Sequence, residues 1–401
     1  MFIPNSVTTL GADAFCWVTL YCQHTKKPDG WDESVINNCQ VTWNATENDI
    51  KWYDYQITDE ENHEVAFGPY FGAASEYTIP NTIDIDGTTY TVTSLSSSTF
   101  DENVTLKKVT IPEGVTEIPS LAFRMCEYLE EVQIPSTVTS IVGSAFYGCR
   151  NLKTITLAEG NQAFEIKNNN TLFTKDGLHL VLHYAKQTPV DYILPADVIV
   201  ICDYAFDCSQ IKSIDMSAAT GLTSIGDYAF NACQNPDFIS VSIPNSVTYL
   251  GQSAFAYANI QSVNIPTSLE TIKTNTFVAC GFESVTIPES VKTIESWAFA
   301  QNSNLQNVTF VGESLEEVGE KAFDETGLTS LSLPNSVKLI GKDIVSGCGN
   351  LASLTFDAEN TWYYDEDRSE PIAPDDYMTE GQIDLGKFIE LNNESELFKG
   401  E

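Results

Sequence analysis

The sequence predicts a β-rich repeat solenoid, a right-handed stack of about a dozen coils with short helical or irregular segments between the strands. A phrase of the form apolar-x-x-apolar-x-apolar recurs ten times between Leu106 and Phe356, mostly at a spacing of 22–23 residues. A second apolar pair follows most copies, and an Ala-Phe pair closes most of them. A single coil of this length cannot bury its apolar face alone, so the coils must stack to form a core.

Each copy predicts two short strands separated by corners. In the copy from Phe282 to Phe299, FESVTIPESVKTIESWAF, apolar and polar residues alternate at first, which indicates a half-buried strand. Proline often follows and ends the ladder, because it has no amide donor. The second apolar pair indicates a strand on another wall. Glycine often follows that pair, but Lys273 and Glu295 hold the same place, so the corner does not require a positive φ.

The phenylalanines of the closing pairs are expected to stack from coil to coil as a continuous apolar spine. With strands about 4.8 Å apart, a dozen coils would form a rod or arc on the order of 55 Å long. The predicted members of the spine are Phe123, Phe146, Phe206, Phe230, Phe255, Phe277, Phe299 and Phe323.

The repeat divides the chain into four segments. Residues 1–17 form a partial repeat, and 18–75 combine a non-repeat segment with an N-terminal β cap. Within 50–100 the alternation predicts two hairpins, the second turning at Asp86-Gly87. The solenoid covers 76–357 and contains an insertion at 158–192 with a further hairpin around Asp176-Gly177, which should protrude from the stack or pack beside it. Residues 358–401 are strongly acidic and are expected to form a C-terminal cap, with a disordered tail as the alternative.

The formal charge of −36 makes nucleic acid and anionic lipid poor partners, because both carry phosphate. No apolar run approaches the ~18 residues of a membrane-spanning helix. The start, MFIPNSVTTL, lacks the basic and apolar regions of a signal peptide. We therefore expect no membrane insertion. The sequence leaves the oligomeric state open, with a monomer favoured.

The repeated phrase, in forms such as SVTIPESVKTIESWAF and SVSIPNSVTYLGQSAF, resembles the BspA-like leucine-rich repeat family over about 76–357 and weakly over 2–17. The run LFTKDGLHLVLHY followed by YILPADVIVICDYAF is similar to a recurrent insertion in such proteins. The resemblance implies a leucine-rich-repeat solenoid in a secreted or cell-surface bacterial protein. It also implies adhesion to a protein or glycan ligand on host or other cells.

Cysteine and histidine give little sign of chemistry. Five of the ten cysteines lie three residues after the repeat aromatic or its equivalent, where other copies hold Asn, Ala or Thr, so we expect free buried thiols there. A disulfide is geometrically possible between Cys126 and Cys149, but Cys22 and Cys39 are the better candidates. His179 and His183 are expected to be exposed hairpin residues, not ligands or catalysts.

No cofactor or metal is expected. The chain lacks a C-x-x-C pair and a glycine-rich phosphate loop, and the acidic run 365–367 lacks the spacing of a calcium loop. Outward positions of the strands carry short Ser, Thr and Asn side chains, which suit a hydrogen-bonded ladder. The first charged coils break this uniformity. The candidate binding surface is therefore Lys107, Lys108, Glu130, Glu131, Gln133 and Asp215.

Three functions follow as hypotheses. The first is a non-enzymatic interaction module, because the repeats offer a long surface without a catalytic constellation. The second is a structural spacer that presents another domain, which the uniform strand face suggests. The third is a hydrolase with a site in 18–50 or in the caps, although no recognised spacing supports it.

Overall fold

The structure is a computed structural model that describes residues 2–12, 14–15, 19–37, 39–43, 52–167, 170–184 and 186–356, with short strands at 362–363, 378–379 and 382–383. The fold is a β-solenoid of about 14 turns with almost no helix, as the repeat predicts. Helix in the described residues is limited to α1 (Glu33–Asn37) and a 3-10 turn at Gly143–Phe146. The acidic run 365–367 and most of the acidic end lie outside the described residues.

The first 43 residues build small coils of their own. The elements are β1 (Phe2–Ile3), β2 (Thr9–Leu10), β3 (Thr19–Cys22), β4 (Gly30–Trp31), α1 (Glu33–Asn37) and β5 (Gln40–Trp43). Strands β1, β3 and β5 pair in parallel, and so do β2 and β4. Part of the segment set apart by the sequence as non-repeat therefore stacks on the partial repeat. Its core contains Leu20 of β3, Trp31 of β4 and Val35 of α1.

Two hairpins precede the main stack, as the alternation predicts. The strands are β6 (Tyr53–Asp59), β7 (Glu64–Tyr70), β8 (Glu76–Thr78), β9 (Thr82–Ile85) and β10 (Thr88–Leu95). Strands β6 and β7 are antiparallel, as are β9 and β10. Asp86 and Gly87 have φ values of 48° and 85°, the left-handed pair that a tight hairpin turn requires. Strand β10 also pairs in parallel with β7, which joins both hairpins in one sheet.

Most of the remaining strands alternate between the two walls of the stack. In chain order they are β11 (Lys108–Thr110), β12 (Glu117–Ile118), β13 (Glu131–Ile134), β14 (Ser140–Ile141), β15 (Thr154–Leu157), β16 (Phe164–Lys167), β17 (Thr171–Thr174), β18 (His179–His183), β19 (Asp191–Ile193), β20 (Val200–Ile201), β21 (Ser213–Asp215), β22 (Ser224–Ile225), β23 (Ser240–Ser242), β24 (Tyr249–Leu250), β25 (Ser262–Asn264), β26 (Thr271–Ile272), β27 (Ser284–Ile287), β28 (Thr293–Ile294), β29 (Asn307–Phe310), β30 (Glu317–Val318), β31 (Ser330–Ser332), β32 (Leu339–Ile340), β33 (Ser353–Thr355), β34 (Trp362–Tyr363), β35 (Met378–Thr379) and β36 (Gln382–Ile383).

The first strands of the coils do not form one continuous sheet. Strands β8, β11, β13 and β15 make a four-stranded parallel sheet. Farther along, the first strands pair two by two, as β19-β21, β23-β25, β27-β29 and β31-β33. The inward residues are buried as predicted: Leu106, Val109 and Ile111 are each at most 3% exposed.

The insertion packs inside the stack. Strand β17 pairs antiparallel with β16 and β18, and β18 pairs in parallel with β20 of the next coil. Phe173 and Leu180 join the apolar core of the coils that follow, whereas Leu172 and Leu182 join the core of the coils that precede. The insertion thus lies where two large core clusters meet.

The phenylalanine spine is present in two runs, and a histidine extends the second run. Neighbouring rings stack with centroids 4.9–5.8 Å apart from Phe100 to Phe146 and from Phe206 to Phe323. Between these runs, the His183 ring stacks on Phe206 at 5.3 Å. The His183 amide donates to the carbonyl of Ala205, the same bond that Phe206 makes to Ala229. The insertion therefore supplies a coil in which histidine takes the phenylalanine position.

Candidate binding surface

The outward side chains of the first strands form one face of the solenoid, here called the first-strand face. It carries a groove of about 920 Å³ over β25, β27 and the turns that follow them. Its floor and rim combine hydroxyl, amide and carboxylate groups with apolar side chains. The lining residues are Ser262, Val263, Asn264, Ile265, Thr267, Ser284, Val285, Thr286, Pro288, Glu289, Ser290, Val311 and Ser314.

The groove lies over a break in the hydrogen-bonded ladder. Among the described strands, β25 pairs with β23 and β27 with β29, and no ladder joins β25 to β27. The Ser290 hydroxyl on the groove wall is inaccessible to solvent and has no hydrogen-bond partner within the described part of the chain. The equivalent hydroxyls of Ser268 and Ser336 donate to carbonyls of the preceding coil at 2.6 Å and 2.7 Å. The coils here therefore leave an apolar floor open to a ligand, while the Ser290 hydroxyl stays buried in the groove wall.

A smaller groove of about 410 Å³ lies on the same face over the first coils. Its described lining includes Thr110, Glu113, Gln133 and Thr156. Both grooves hold the glutamate that directly follows the proline, Glu113 in one and Glu289 in the other. The face thus presents carboxylates beside hydroxyl and amide groups at two places.

The structure brings five of the six predicted binding residues together in the first coils. Lys108 lies 2.8 Å from the Glu131 carboxylate, which also accepts from the Gln133 amide at 3.1 Å. The bond to Glu131 raises the pKa of Lys108, and the bonds from Lys108 and then Gln133 lower the pKa of Glu131. The Glu130 amide donates to the Lys107 carbonyl.

Much of this charge is matched within the chain. Lys153 lies 2.9 Å from the Glu130 carboxylate, and this bond lowers the pKa of Glu130. Of the six predicted residues, Gln133 lines a described groove. Asp215 lies on a different sheet, where its carboxylate accepts from the Ser217 amide at 2.9 Å. A binding role for these residues stays a prediction.

A third cleft, of about 390 Å³, opens on the other wall beside the insertion. His179, Cys202, Asp203 and Tyr249 line it. Burial, and then the charge of Asp203, raises the pKa of the Cys202 thiol to about 12, so the thiol stays protonated at neutral pH. Burial also raises the pKa of Asp203. The cleft therefore offers no thiolate nucleophile.

The described cysteines are all free thiols, and the predicted Cys22–Cys39 disulfide is wrong. Cys22 is fully buried on β3, and its register partner on β5 is Trp43, several residues beyond Cys39. The Cys39 thiol instead contacts the carbonyl of Phe15 at 3.5 Å.

The repeat cysteines have a structural role that explains their tolerance of asparagine. Cys126 and Cys149 donate to the carbonyls of Phe100 and Phe123 in the preceding coil at 2.9 Å and 3.0 Å. Asn302 makes the same bond to the Phe277 carbonyl at 2.8 Å. The position therefore accepts small side chains, as its composition suggested, and Cys or Asn there also donates to the preceding coil.

His183 is buried, so the prediction of two exposed hairpin histidines is wrong for this residue. It lies in the phenylalanine spine, and its Nδ1 is 3.1 Å from the Thr171 hydroxyl. Burial, and to a lesser degree the charge of Lys186, lowers the pKa of His183 to about 4. Its alignment with Phe206 could not be found from sequence, because the inserted hairpin disrupts the spacing of the repeat.

The described residues contain no group of three His, Cys, Asp or Glu side chains suited to a metal ion. Within the same residues, none of the helical segments has the length and apolar character needed to cross a bilayer.

Comparisons with known proteins agree with the repeat. The model of the BspA type leucine-rich repeat region, which has six copies, matches residues 78–175, 187–282 and 270–365. Solenoids of this family are generally non-enzymatic. No curated protein matches the chain.

Solved structures of bacterial repeat proteins are similar to the chain. A leucine-rich repeat protein from Eubacterium ventriosum ATCC 27560 has 20% identity and a TM-score of 0.55, over 75% of this chain and 94% of that one. A leucine-rich repeat protein from Bacteroides ovatus ATCC 8483 has 25% identity and a TM-score of 0.40, over 80% of this chain and 67% of that one. A leucine rich cell surface protein from Faecalibacterium prausnitzii A2-165 has 21% identity and a TM-score of 0.41, over 77% of this chain and 93% of that one. Because the family model matches more than half of the sequence, the chain belongs to the BspA type leucine-rich repeat family.

Proposed function

We propose that this chain is a non-enzymatic interaction protein of a bacterial surface, which binds a segment of a partner protein in the large groove of the first-strand face. The observation that carries the proposal is the groove itself, a concave site of about 920 Å³ over an interrupted ladder. Concave sites that combine an apolar floor with a few polar groups are the usual form of a ligand site. Membership in the family supports a surface location and a binding role.

The chemistry of the groove favours a peptide carrying a basic residue. Val311, 47% exposed at the rim, and Pro288 offer apolar contact, and the strand hydroxyls offer hydrogen bonds. Glu289 adds a carboxylate, and the net charge of −36 attracts cations over a longer range. The described lining has no aromatic side chain on which a sugar ring could stack, so a protein segment is favoured over a glycan.

The test is selection of peptide ligands from a displayed random library, with a glycan array in parallel. Selected peptides should carry Lys or Arg, and Thr286→Trp, which fills the groove, should weaken their binding by more than about tenfold. Ser332→Trp, on the same face but outside the groove, is the matched control and should leave binding unchanged.

Three results would count against the proposal. Glycan binding that is lost in the Thr286→Trp variant would keep the site but change the class of partner. Peptide binding that survives Thr286→Trp but is lost on exchanging the charges of Lys108 and Glu131 would move the site to the first coils. A chain that binds neither library would favour the structural spacer.

A further inference from the structure

An ion pair is buried completely where the insertion meets the following coils. The side chains of Lys186 and Asp207 are both 0% exposed, and the Lys186 Nζ lies 3.6 Å from the Asp207 Oδ2. The same nitrogen has no hydrogen-bond partner in the part of the chain that the structure describes. An ammonium group enclosed in this way without a hydrogen bond is costly, because the protein does not replace its hydration.

The repeat shows that this lysine is an exception. Lys186 lies three residues after His183, which holds the phenylalanine position of its coil. The same position in neighbouring coils holds Cys149, Ser209 and Cys233. Those small side chains suit a buried corner, whereas a lysine brings a primary amine into the core beside a carboxylate.

The surroundings of Asp207 polarise its carboxyl group. The Asn231 Nδ2 donates to Oδ1 at 2.8 Å, and the Gly148 amide donates to Oδ2 at 3.2 Å. Asn231 is itself 9% exposed. Both carboxyl oxygens therefore accept a hydrogen bond from a fixed donor, as they would need to if negative charge developed on an oxygen during attack at the carbon.

We propose that Lys186 and Asp207 condense into an intramolecular isopeptide bond after folding. The ammonium gives one proton to the carboxylate, and the neutral amine attacks the Asp207 Cγ. A C–N bond forms, a C–O bond breaks, and the hydroxyl leaves with a proton of the amine as water. The step needs no oxidant, reductant or metal. It replaces two buried charges with a neutral amide, which removes the desolvation cost of the ion pair.

The bond would join the insertion to the coil that follows. That junction lies where the two large core clusters of the solenoid meet. A covalent link between neighbouring coils limits their separation under load or denaturant. Such a link suits a chain that holds a partner at a cell surface, but its formation is independent of what the groove binds.

The experiment is mass spectrometry of the full chain after denaturation, followed by peptide mapping with trypsin. The wild-type chain is expected to be lighter than its sequence by one water. Trypsin should fail to cut after Lys186, and a branched peptide should link Lys186 to Asp207. The Lys186→Arg variant keeps the positive charge without the nucleophilic amine and should have its full sequence mass.

Two further variants test the assignment. Asn231→Ala leaves both reacting groups in place but removes one donor to the carboxyl, so the bond should form more slowly after expression. Asn235→Ala, which removes another ladder asparagine from the same coil, is the matched control and should form the bond at the wild-type rate.

A wild-type chain of full mass that trypsin cuts after Lys186 would overturn the proposal and leave a simple ion pair. A branched peptide that joins Lys186 to Asn231 with loss of ammonia would overturn the assignment of Asp207. Because the mapping uses the wild-type chain, both results can be read even if a variant fails to fold.

Discussion

Single side chains connect the coils at the position three residues after several of the spine aromatics. Thiols and amides there donate to the carbonyl of the preceding phenylalanine, as with Cys233 to Phe206 at 3.2 Å and Asn302 to Phe277 at 2.8 Å. Burial raises the pKa of Cys126 to about 12, so this thiol stays a neutral donor at physiological pH. The repeated cysteine is therefore part of the stacking, and its abundance carries no sign of redox chemistry.

A pH-dependent loss of stability is expected from His183. Its pKa is about 4 in the folded chain and about 6.5 when unfolded, so the unfolded chain binds the extra proton between these values. The full stability is present above pH 6.5 and is lost as pH falls toward 4. Integration gives a loss of about 2 kcal/mol by pH 5.

The measurement for His183 is urea unfolding at pH 7 and at pH 5, in the wild type and in His183→Phe. The phenylalanine keeps the stack on Phe206 but cannot be protonated, so its stability should fall by about 2 kcal/mol less over this range. Comparing the two chains removes the contribution of the many carboxylates. Equal losses in both would contradict the assignment of a buried neutral histidine.

At the corner that follows the second strand of each coil, the residue type depends on how closely the backbone of the neighbouring coil approaches. A Cβ built on Gly251 would lie 2.4 Å from the Asp227 amide nitrogen and 2.4 Å from the Gly226 carbonyl carbon, although its φ is not left-handed. Lys273 holds the corresponding corner of the next coil. The ladder of second strands breaks there, between β24 and β26. Glycine therefore fits the close approach at Gly251, although Glu295 holds the same corner beside the paired strands β26 and β28.

We expect Gly251→Ala to destabilise the chain by about 2 kcal/mol, because the added methyl group must push backbone aside. Gly221→Ala is the matched control, since a Cβ there meets its nearest atom, the Ile199 Cγ2, at an ordinary 3.5 Å. The control should change the free energy of unfolding by less than about 0.5 kcal/mol. Urea unfolding of the three chains checks this. Equal destabilisation by both substitutions would mean that the close approach at Gly251 does not matter.

Periodicity made the strands, the spine and the hairpin cap predictable, because their apolar positions repeat along the chain. The backbone around the Ala-Phe pair was not predictable. Tyr228 and Ala232 have φ values of 56° and 53°, in a left-handed region that residues other than glycine rarely adopt. Their amides donate to the next coil, to the carbonyls of Gln252 and Ala256 at 2.9 Å and 2.8 Å, which offsets the local cost.

The binding surface was less predictable than the fold for a related reason. Charge marked the first coils, but Lys108 and Glu131 pair with each other in the structure. The larger groove lies over a missing ladder between β25 and β27, whose sequences are as uniform as their neighbours. Whether two neighbouring coils pair depends on the backbone of both coils, and no single residue type indicates it.

Across the whole molecule, the solenoid contains two large cores joined at the insertion. One includes Phe123 and Leu182, and the other includes Phe173 and Phe299. Stability in a stack is close to a sum of coil and neighbour contributions, so damage to one coil should spread mainly through its own core. The insertion contributes side chains to both of these cores.

Hydrogen exchange should therefore divide the chain at the insertion. Phe123→Leu should speed amide exchange across residues 65–157 and leave 260–354 nearly unchanged, and Phe299→Leu should do the opposite. Each substitution disturbs a ring stacked on both sides, at 5.3 Å and 5.2 Å for Phe123 and at 5.4 Å and 5.6 Å for Phe299, so each is the matched control for the other. Both are expected to cost about 1–3 kcal/mol within their own core. Exchange measured by mass spectrometry would contradict the two-core description if either substitution raised the rates evenly along the stack, because a single cooperative core would then transmit the damage past the insertion.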